Sequence, residues 1–163
     1  MTIELCFTNL IKLSQPFHNG QQPFHVVGQP DLISNELPDP SNANTLASPW
    51  AIAFDLEGNL WTVDCLYNRV LQYPRPFNQD FQSASVFIGQ SSSNSPLVTN
   101  ATADNHTPST KTSLFTPSGL AFDEDGNLWV SDSGHNRILR YKPPFTAFSK
   151  EADIVLGKRD FIS

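Results

Sequence analysis

The ionisable side chains that recur with a fixed spacing in this chain are an aspartate and, five residues later, an arginine. The pattern occurs twice, as Asp64, Asn68 and Arg69 and as Asp132, Asn136 and Arg137. A carboxylate beside a guanidinium can act as an acid–base pair or a substrate clamp. It can also hold a strand end by accepting backbone N–H groups and pairing with the arginine. Because catalysis needs one site whereas this pattern recurs, we interpret all six residues as structural and assign no catalytic residue.

Two of the positions at which the copies differ are the candidate ligand-binding residues. Trp50 stands where the second copy has Ser118, and His135 stands where the first copy has Tyr67. A specific function is carried by particular residues rather than by the repeated scaffold, so a departure from the repeat marks a place where a ligand could bind. We assign a weak ligand-binding role to Trp50 and His135.

Neither zinc nor calcium has a complete ligand set in the sequence. The four histidines, His18, His25, His106 and His135, share no spacing typical of zinc ligands. Residues 123–127 read DEDGN and resemble part of an EF-hand loop, but the closing glutamate is absent, so a hairpin turn explains them better. Cys6 and Cys65 form no disulfide framework. We predict no metal ligand and no cofactor, with zinc and calcium kept as alternatives.

The charge balance and the hydropathy pattern exclude two classes of partner. The net charge is −6, and the ten lysine and arginine residues are not clustered, so there is no basic surface for phosphate groups. No stretch approaches the ~18 consecutive apolar residues of a membrane-spanning helix. We therefore predict no nucleic acid and no membrane partner. Acceptor patterns for N-glycosylation at Asn100 and Asn105 and the scarcity of cysteine slightly favour an extracellular setting, without establishing the compartment.

A long internal repeat organises these residues. Residues 48–77 align without a gap with residues 116–145, 68 positions later, and fifteen of the thirty pairs are identical, including Trp61 with Trp129. The residues that follow, 86–90 and 154–158, align at the same offset. An earlier partial copy is indicated because Pro16-Phe17 and residues 25–29 match Pro76-Phe77 and residues 86–90. A repeat of this length predicts a solenoid or a propeller.

Each unit contains turn residues and short apolar runs that predict four strands. In the first unit the strands are expected at residues 51–54, 60–63, 69–73 and 85–88, and in the second at 120–122, 128–130, 137–141 and 153–156. Gly58 and Gly126 supply the positive φ of a tight hairpin, and the proline-rich stretch after Tyr73 or Tyr141 ends the third strand. Four antiparallel strands per unit are typical of a β-propeller blade, so the predicted fold is all-β.

The second unit also resembles a known family. Residues 117–138 read PSGLAFDEDGNLWVSDSGHNRI and are similar to the NHL repeat, and residues 26–31, VVGQPD, resemble the Leu-Gly-Gln-Pro-Asp linker of large NHL-repeat proteins. The resemblance implies a six-bladed parent propeller. It also implies the activities found in similar propellers, which include zinc- and calcium-containing amidating lyases, metal lactonases, RNA-binding proteins and protein-interaction platforms.

The repeat predicts how the chain is divided. Residues 1–45 are expected to form the second half of one blade plus a linker, residues 46–113 a complete blade plus a linker loop, and residues 114–163 a further complete blade. Such a chain makes an incomplete ring. We expect it to be a piece of a larger protein, with ring closure by several copies or an open stack of blades as the alternatives.

The residues therefore predict a binding or scaffolding module of a propeller more strongly than an enzyme. Its partner is expected to be a protein or a small-molecule ligand at the propeller rim, and the remainder of the propeller or self-association is expected to close the ring. The alternative is part of a metal-dependent propeller enzyme of the amidating-lyase or lactonase type, with its metal held mostly by residues outside this segment.

Overall fold

The structure is a computed structural model that describes residues 20, 22–35, 41–94, 108–145, 147–148 and 150–163. Several residues singled out from the sequence lie outside the described residues: Cys6, Pro16, Phe17, His18, His106 and the two candidate glycosylation sites, Asn100 and Asn105. In the described part of the chain the only helix is the 3₁₀ turn Ser133–His135, and no helix there is long and apolar enough to cross a membrane.

The described residues form two four-stranded antiparallel sheets. The first sheet contains β1 (Pro49–Phe54), β2 (Leu60–Asp64), β3 (Arg69–Tyr73) and β4 (Val86–Ile88). The second contains β5 (Pro117–Phe122), β6 (Leu128–Asp132), β7 (Arg137–Tyr141) and β8 (Ile154–Leu156). In both sheets the strands pair in chain order. The predicted all-β fold with blades of four antiparallel strands is confirmed, and the sheets are called the first and second blade below; the six-bladed parent stays a prediction.

The hairpin between the first two strands of each blade is built around one aspartate. In the first blade the Asp55 carboxylate accepts the backbone N–H groups of Glu57 and Asn59, and Gly58 has a φ of 81°. Asp123 and Asn127 repeat this arrangement in the second blade. The turn is thus held by its own side chains, as expected where asparagine, aspartate and glycine occur together.

The two blades pack face to face through an apolar core. Trp61, Val63 and Ile88 of the first blade are fully buried in one cluster with Val130 and Tyr141 of the second. The Trp61 ring meets the rings of Phe122 and Phe145 edge to face, with centroids 5.5 and 4.8 Å apart. Trp61 therefore contributes to the core between the blades.

The linkers repeat one another as well. Gly28 forms a parallel bridge with Thr45, and Gly89 forms the equivalent bridge with Ser113. The predicted outer strand at residues 25–29 forms no ladder within the described residues, but Val26 accepts a hydrogen bond from the Phe81 N–H. The division into residues 1–45, 46–113 and 114–163 stays a prediction, although each described blade lies within one predicted unit.

Candidate functional site

The Asp64 carboxylate joins the end of β2 to the segment that enters β1. One oxygen accepts the backbone N–H groups of Ala47 and Ser48, both at 3.0 Å, and the other accepts the Arg69 Nε–H at 3.1 Å. Asp64 and Arg69 are both fully buried. Burial raises the pKa of the Asp64 carboxyl, against the opposing effects of the Ser48 N–H and the Arg69 charge.

The remaining donors of the Arg69 guanidinium bind the two linkers. One terminal nitrogen donates to the Ser41 hydroxyl and to the Ser93 carbonyl, and the other donates to the Thr45 carbonyl at 2.7 Å. Ser41 also donates its hydroxyl to the Ser93 carbonyl. A rigid guanidinium with five donors suits such a junction. Arg69 thereby ties the linker before its blade to the linker after it.

The second blade repeats this network 68 residues later and adds a histidine. Asp132 accepts the Phe115 N–H at 2.6 Å and the Arg137 Nε–H at 2.7 Å. The Arg137 terminal nitrogens donate to Ser109, Thr110, Ser113 and Phe161. His135 Nδ1 lies 2.8 Å from the Asp132 oxygen that accepts the Arg137 Nε–H. In the first blade Tyr67 takes the place of His135, and its ring lies 4.8 Å from the Arg69 guanidinium carbon.

The sequence anticipated the Asp–Arg pairing but placed the backbone donors in the wrong segment. These donors were expected in the loop after β2. Instead, Ala47, Ser48 and Phe115 come just before the first strand of each blade, β1 or β5. The ladder explains the difference, because Asp64 lies opposite Pro49 and its carboxylate is therefore nearest the residues just before β1. Carboxylates that are fully buried and bound in this way position the chain.

The two asparagines before the arginines share a left-handed backbone conformation, with φ of 53° at Asn68 and 54° at Asn136. Asparagine tolerates this conformation better than most residues. Asn68 is buried between the blades, and its Oδ1 accepts the backbone N–H of Thr116 at 2.7 Å. Asn136 is exposed. The equivalent residues therefore differ in whether a following blade covers them.

The two candidate ligand-binding residues occupy contrasting environments. Trp50 is 65% exposed at a bulge near the start of β1, and its indole N–H donates to the Ser48 hydroxyl at 2.9 Å. His135 is buried against the Phe115 ring and held by Asp132. Neither residue lines the groove described below or the smaller cavity beside Ser131 and Ile138. Their ligand-binding role stays a prediction, with only Trp50 open to a partner.

A groove that the sequence did not reveal lies between the hairpin turns of the two blades. Its volume is about 770 Å³, and its walls are Asp55, Leu56, Glu57, Asn59, Gln72 and Pro74 from the first blade and Asp125, Gly126, Pro143, Pro144 and Phe145 from the second. Leu56 lies against Gly126, where an added Cβ would come within 3.2 Å of the leucine side chain. The repeat aligns the turns of the two blades with each other, and this gave no signal that one turn meets the proline-rich stretch of the next blade.

Three carboxylates, from Asp55, Glu57 and Asp125, line the groove. Burial of Asp55 raises the pKa of its carboxyl, but hydrogen bonds from Trp61, Asn59 and Gln72 outweigh this effect and hold the pKa below its usual value. Glu57 and Asp125 are exposed beside it. Leu56, the prolines and Phe145 form the apolar part of the walls. The groove can therefore accept a cationic group that carries an apolar stem.

The described residues do not form a zinc or calcium site. Among the described residues, no group of three or more histidine, cysteine, aspartate or glutamate side chains is placed to hold a metal ion. Both Asp123 oxygens accept hydrogen bonds within the hairpin, from the Asn127 side chain and the Trp129 indole. His25 lies 3.2 Å from Asp80 on the surface. No reaction step is therefore derived through a metal.

The ordered sheets and their shared core define the class: the described residues form consecutive blades of a β-propeller. Within that class, residues 116–141 match the NHL repeat, a segment that runs from the residue before β5 to the end of β7. Among solved structures, virginiamycin B lyase from Staphylococcus aureus is 16% identical over 67% of this chain, with a TM-score of 0.36. This chain covers 31% of that structure. No curated protein matches the sequence.

Proposed function

We propose that this chain is a binding module of a propeller and that the groove between its blades receives a cationic segment of a protein or a cationic small ligand at the rim. The single observation behind this proposal is the groove itself, about 770 Å³ in volume, to which both blades contribute carboxylates and apolar side chains. Pockets of this size and mixed lining are typical of ligand sites.

The chemistry of the two walls indicates what would bind. An arginine or lysine side chain could lay its carbon stem along Leu56 and Pro144 and place its charge near Glu57 and Asp125. The net charge of −6 favours approach of a cationic partner. An aromatic or proline neighbour in the same partner would add apolar contact with Phe145.

A labelled peptide containing arginine, proline and phenylalanine tests the proposal by fluorescence polarisation. We expect the Glu57→Gln, Asp125→Asn double variant to bind it about twofold to thirtyfold more weakly, since each exposed charge pair contributes about 0.2–1 kcal/mol. Binding should also weaken with added salt. The matched control is Glu124→Gln, which also removes a carboxylate charge, but from a residue that lies beside the groove and does not line it.

A peptide with glutamate in place of each arginine should show no specific binding. Equal affinity of the double variant, the control variant and the unsubstituted chain would exclude the groove as the binding site.

A further inference from the structure

Within the described part of the chain, each blade has one sheet face that the other blade does not cover. The leading face of the first blade carries Ile52, Phe54, Leu60, Thr62 and Phe77, and the trailing face of the second blade carries Trp129, Ser131, Ile138, Leu156 and Gly157. Ile52 is 67% exposed and Phe54 56%, while Ile138 is 40% and Leu156 48% exposed. Apolar residues exposed in this way on a sheet face mark an interaction surface.

Every residue of these faces has a counterpart 68 positions away in the interface between the two blades. Val70 and Ile88, the counterparts of Ile138 and Leu156, are fully buried by the second blade. Leu120 and Phe122, the counterparts of Ile52 and Phe54, pack against the cluster that contains Trp61. The two open faces are therefore the two halves of an interface that the molecule already forms once.

The aromatic side chains show this correspondence most directly. Phe122 and Phe145, whose centroids are 6.3 Å apart, both pack against Trp61. Phe54 and Phe77 form an equivalent edge-to-face pair at the same 6.3 Å on the leading face. Trp129 lies half-buried on the trailing face. A second interface of the same kind would need an aromatic pair on one face and a tryptophan on the other. The leading face carries that pair, and the trailing face carries that tryptophan.

Two positions that hold valine in the interface between the blades hold a hydroxyl side chain in the corresponding place on the other two faces. Val63 and Val130 are fully buried in one cluster between the blades, and their counterparts on the open faces are Ser131 and Thr62. A hydroxyl thus replaces an apolar side chain on both faces, and the Thr62 hydroxyl is already buried and donates to the Ala51 carbonyl at 3.0 Å. Asn136 repeats the conformation of Asn68, whose Oδ1 bonds the second blade.

We infer that a second copy of this chain docks head to tail, the trailing face of one copy covering the leading face of the next. The contact is heterologous, so successive copies form a ring if the rotation closes and a filament if it does not. This inference is independent of what the groove binds.

Docking requires that residues 25–34 of the receiving copy move aside. The bridge of Gly28 with Thr45 matches that of Gly89 with Ser113, so Val27 lies where the outer strand of a preceding blade belongs. The incoming copy brings an equivalent segment: residues 157–163 read GKRDFIS and residues 28–34 read GQPDLIS. Asp160 and Asp31 each accept the N–H two residues later, from Ile162 and Ile33, at 2.9 Å. The two segments are therefore interchangeable in local structure.

Sedimentation of the full chain over a wide dilution series, combined with mixing of two variants, tests the inference. Ile52→Arg blocks the leading face and Leu156→Arg blocks the trailing face, and both positions are exposed, so the blades should fold normally. We expect the unsubstituted chain to self-associate on concentration. Each variant alone should be monomeric, and an equimolar mixture should form heterodimers that grow no further. Ser83→Arg, at an exposed loop position, is the control and should associate like the unsubstituted chain.

A second variant addresses the displacement step. Asp80 holds residues 25–26 through the Val26 N–H at 2.8 Å and through His25, and Phe148 takes its place in the second blade. We expect Asp80→Ala to strengthen self-association, because the receiving face opens more readily. A chain that stays monomeric at every concentration, a single-face variant that associates alone, or an Asp80→Ala chain that associates more weakly would each overturn the inference.

Discussion

Asp64 and Arg69 form an ion pair that reaches no solvent and binds two separate segments of backbone, residues 45–48 and Ser93. The spacing of aspartate and arginine was sufficient to predict their pairing, because both flank one tight loop between neighbouring strands. Their linker partners were not predicted, although Ser41 and Ser109 lie 68 positions apart and each accepts a hydrogen bond from the arginine of its blade. A repeat identifies positions that matter, but it does not show which distant backbone groups they contact.

Replacing Arg69 by methionine leaves the Asp64 carboxylate buried without its cation. We expect the free energy of unfolding to fall by about 3–5 kcal/mol, the usual cost of removing one partner from a buried pair. Urea denaturation followed by circular dichroism measures the change. Arg75→Met is the matched control at an exposed position of the same blade, where a surface substitution changes stability by about 0.5 kcal/mol or less. Equal loss in both variants would contradict a positioning role for Arg69.

Asp153 gives the chain a pH-dependent contact. Hydrogen bonding to Arg140, assisted by Lys142, lowers the pKa of its carboxyl from 3.8 to about 2. Because the pKa is depressed in the folded state, the contact stabilises the fold fully above about pH 4 and is lost as the pH falls towards 2. We expect the free energy of unfolding of Asp153→Asn to fall less steeply across this interval than that of the unsubstituted chain. Glu124→Gln serves as the charge-matched control, and parallel profiles for all three chains would refute the assignment.

The strands and hairpins were accessible from the sequence, because glycine, asparagine and proline mark their ends. β3 and β7 end at Tyr73 and Tyr141, directly before the proline-rich stretches, as predicted. Two features were missed. The bulge that carries Trp50 leaves no mark in the apolar pattern of β1, and the groove forms only where elements of different blades meet. The first depends on local register and the second on packing between units.

Gly89 lies where the first blade meets the second, because it directly follows β4 and contacts Leu114, which precedes β5. Its φ is 97°, and an added Cβ would lie 2.5 Å from the Asn68 carbonyl oxygen and 2.9 Å from Leu114 Cδ1. At Gly157, its counterpart, φ is 87° and an added Cβ would lie 3.1 Å from the Asn136 carbonyl oxygen and 3.7 Å from Arg137 Cα. We expect Gly89→Ala to destabilise the fold by about 1–3 kcal/mol and Gly157→Ala to cost less, as measured by thermal unfolding. A larger loss at Gly157 would show that the contact with Leu114 is unimportant.

At the scale of the whole molecule, the two blades are joined mainly through apolar contacts around Trp61. A blade exposes an apolar face on each side, so each depends on a neighbour for its core. The internal repeat was enough to predict this dependence, and the shared core of Trp61, Val130 and Tyr141 confirms the part that lies between the two described blades.

Truncation of Trp61 to alanine should therefore weaken the whole molecule. We expect a loss of about 3–5 kcal/mol in the free energy of unfolding, typical of a buried aromatic side chain replaced by alanine. Trp129→Ala, measured at the same low protein concentration, should cost less because its ring is only half-buried. Denaturation monitored by circular dichroism compares the two variants. Similar losses would indicate that the blades are stable independently of their contact.

The stretch that joins the two blades is anchored at both of its ends. The carbonyl of Ser93 accepts a hydrogen bond from Arg69 of the blade it leaves, and the hydroxyl of Ser109 accepts one from Arg137 of the blade it enters. The entropic cost of closing such a stretch grows only slowly with its length, by about 0.6 kcal/mol for each doubling. Because this cost is small, we expect a foreign peptide inserted between the two anchors to leave the register of the sheets unchanged, which makes this linker a site for grafting.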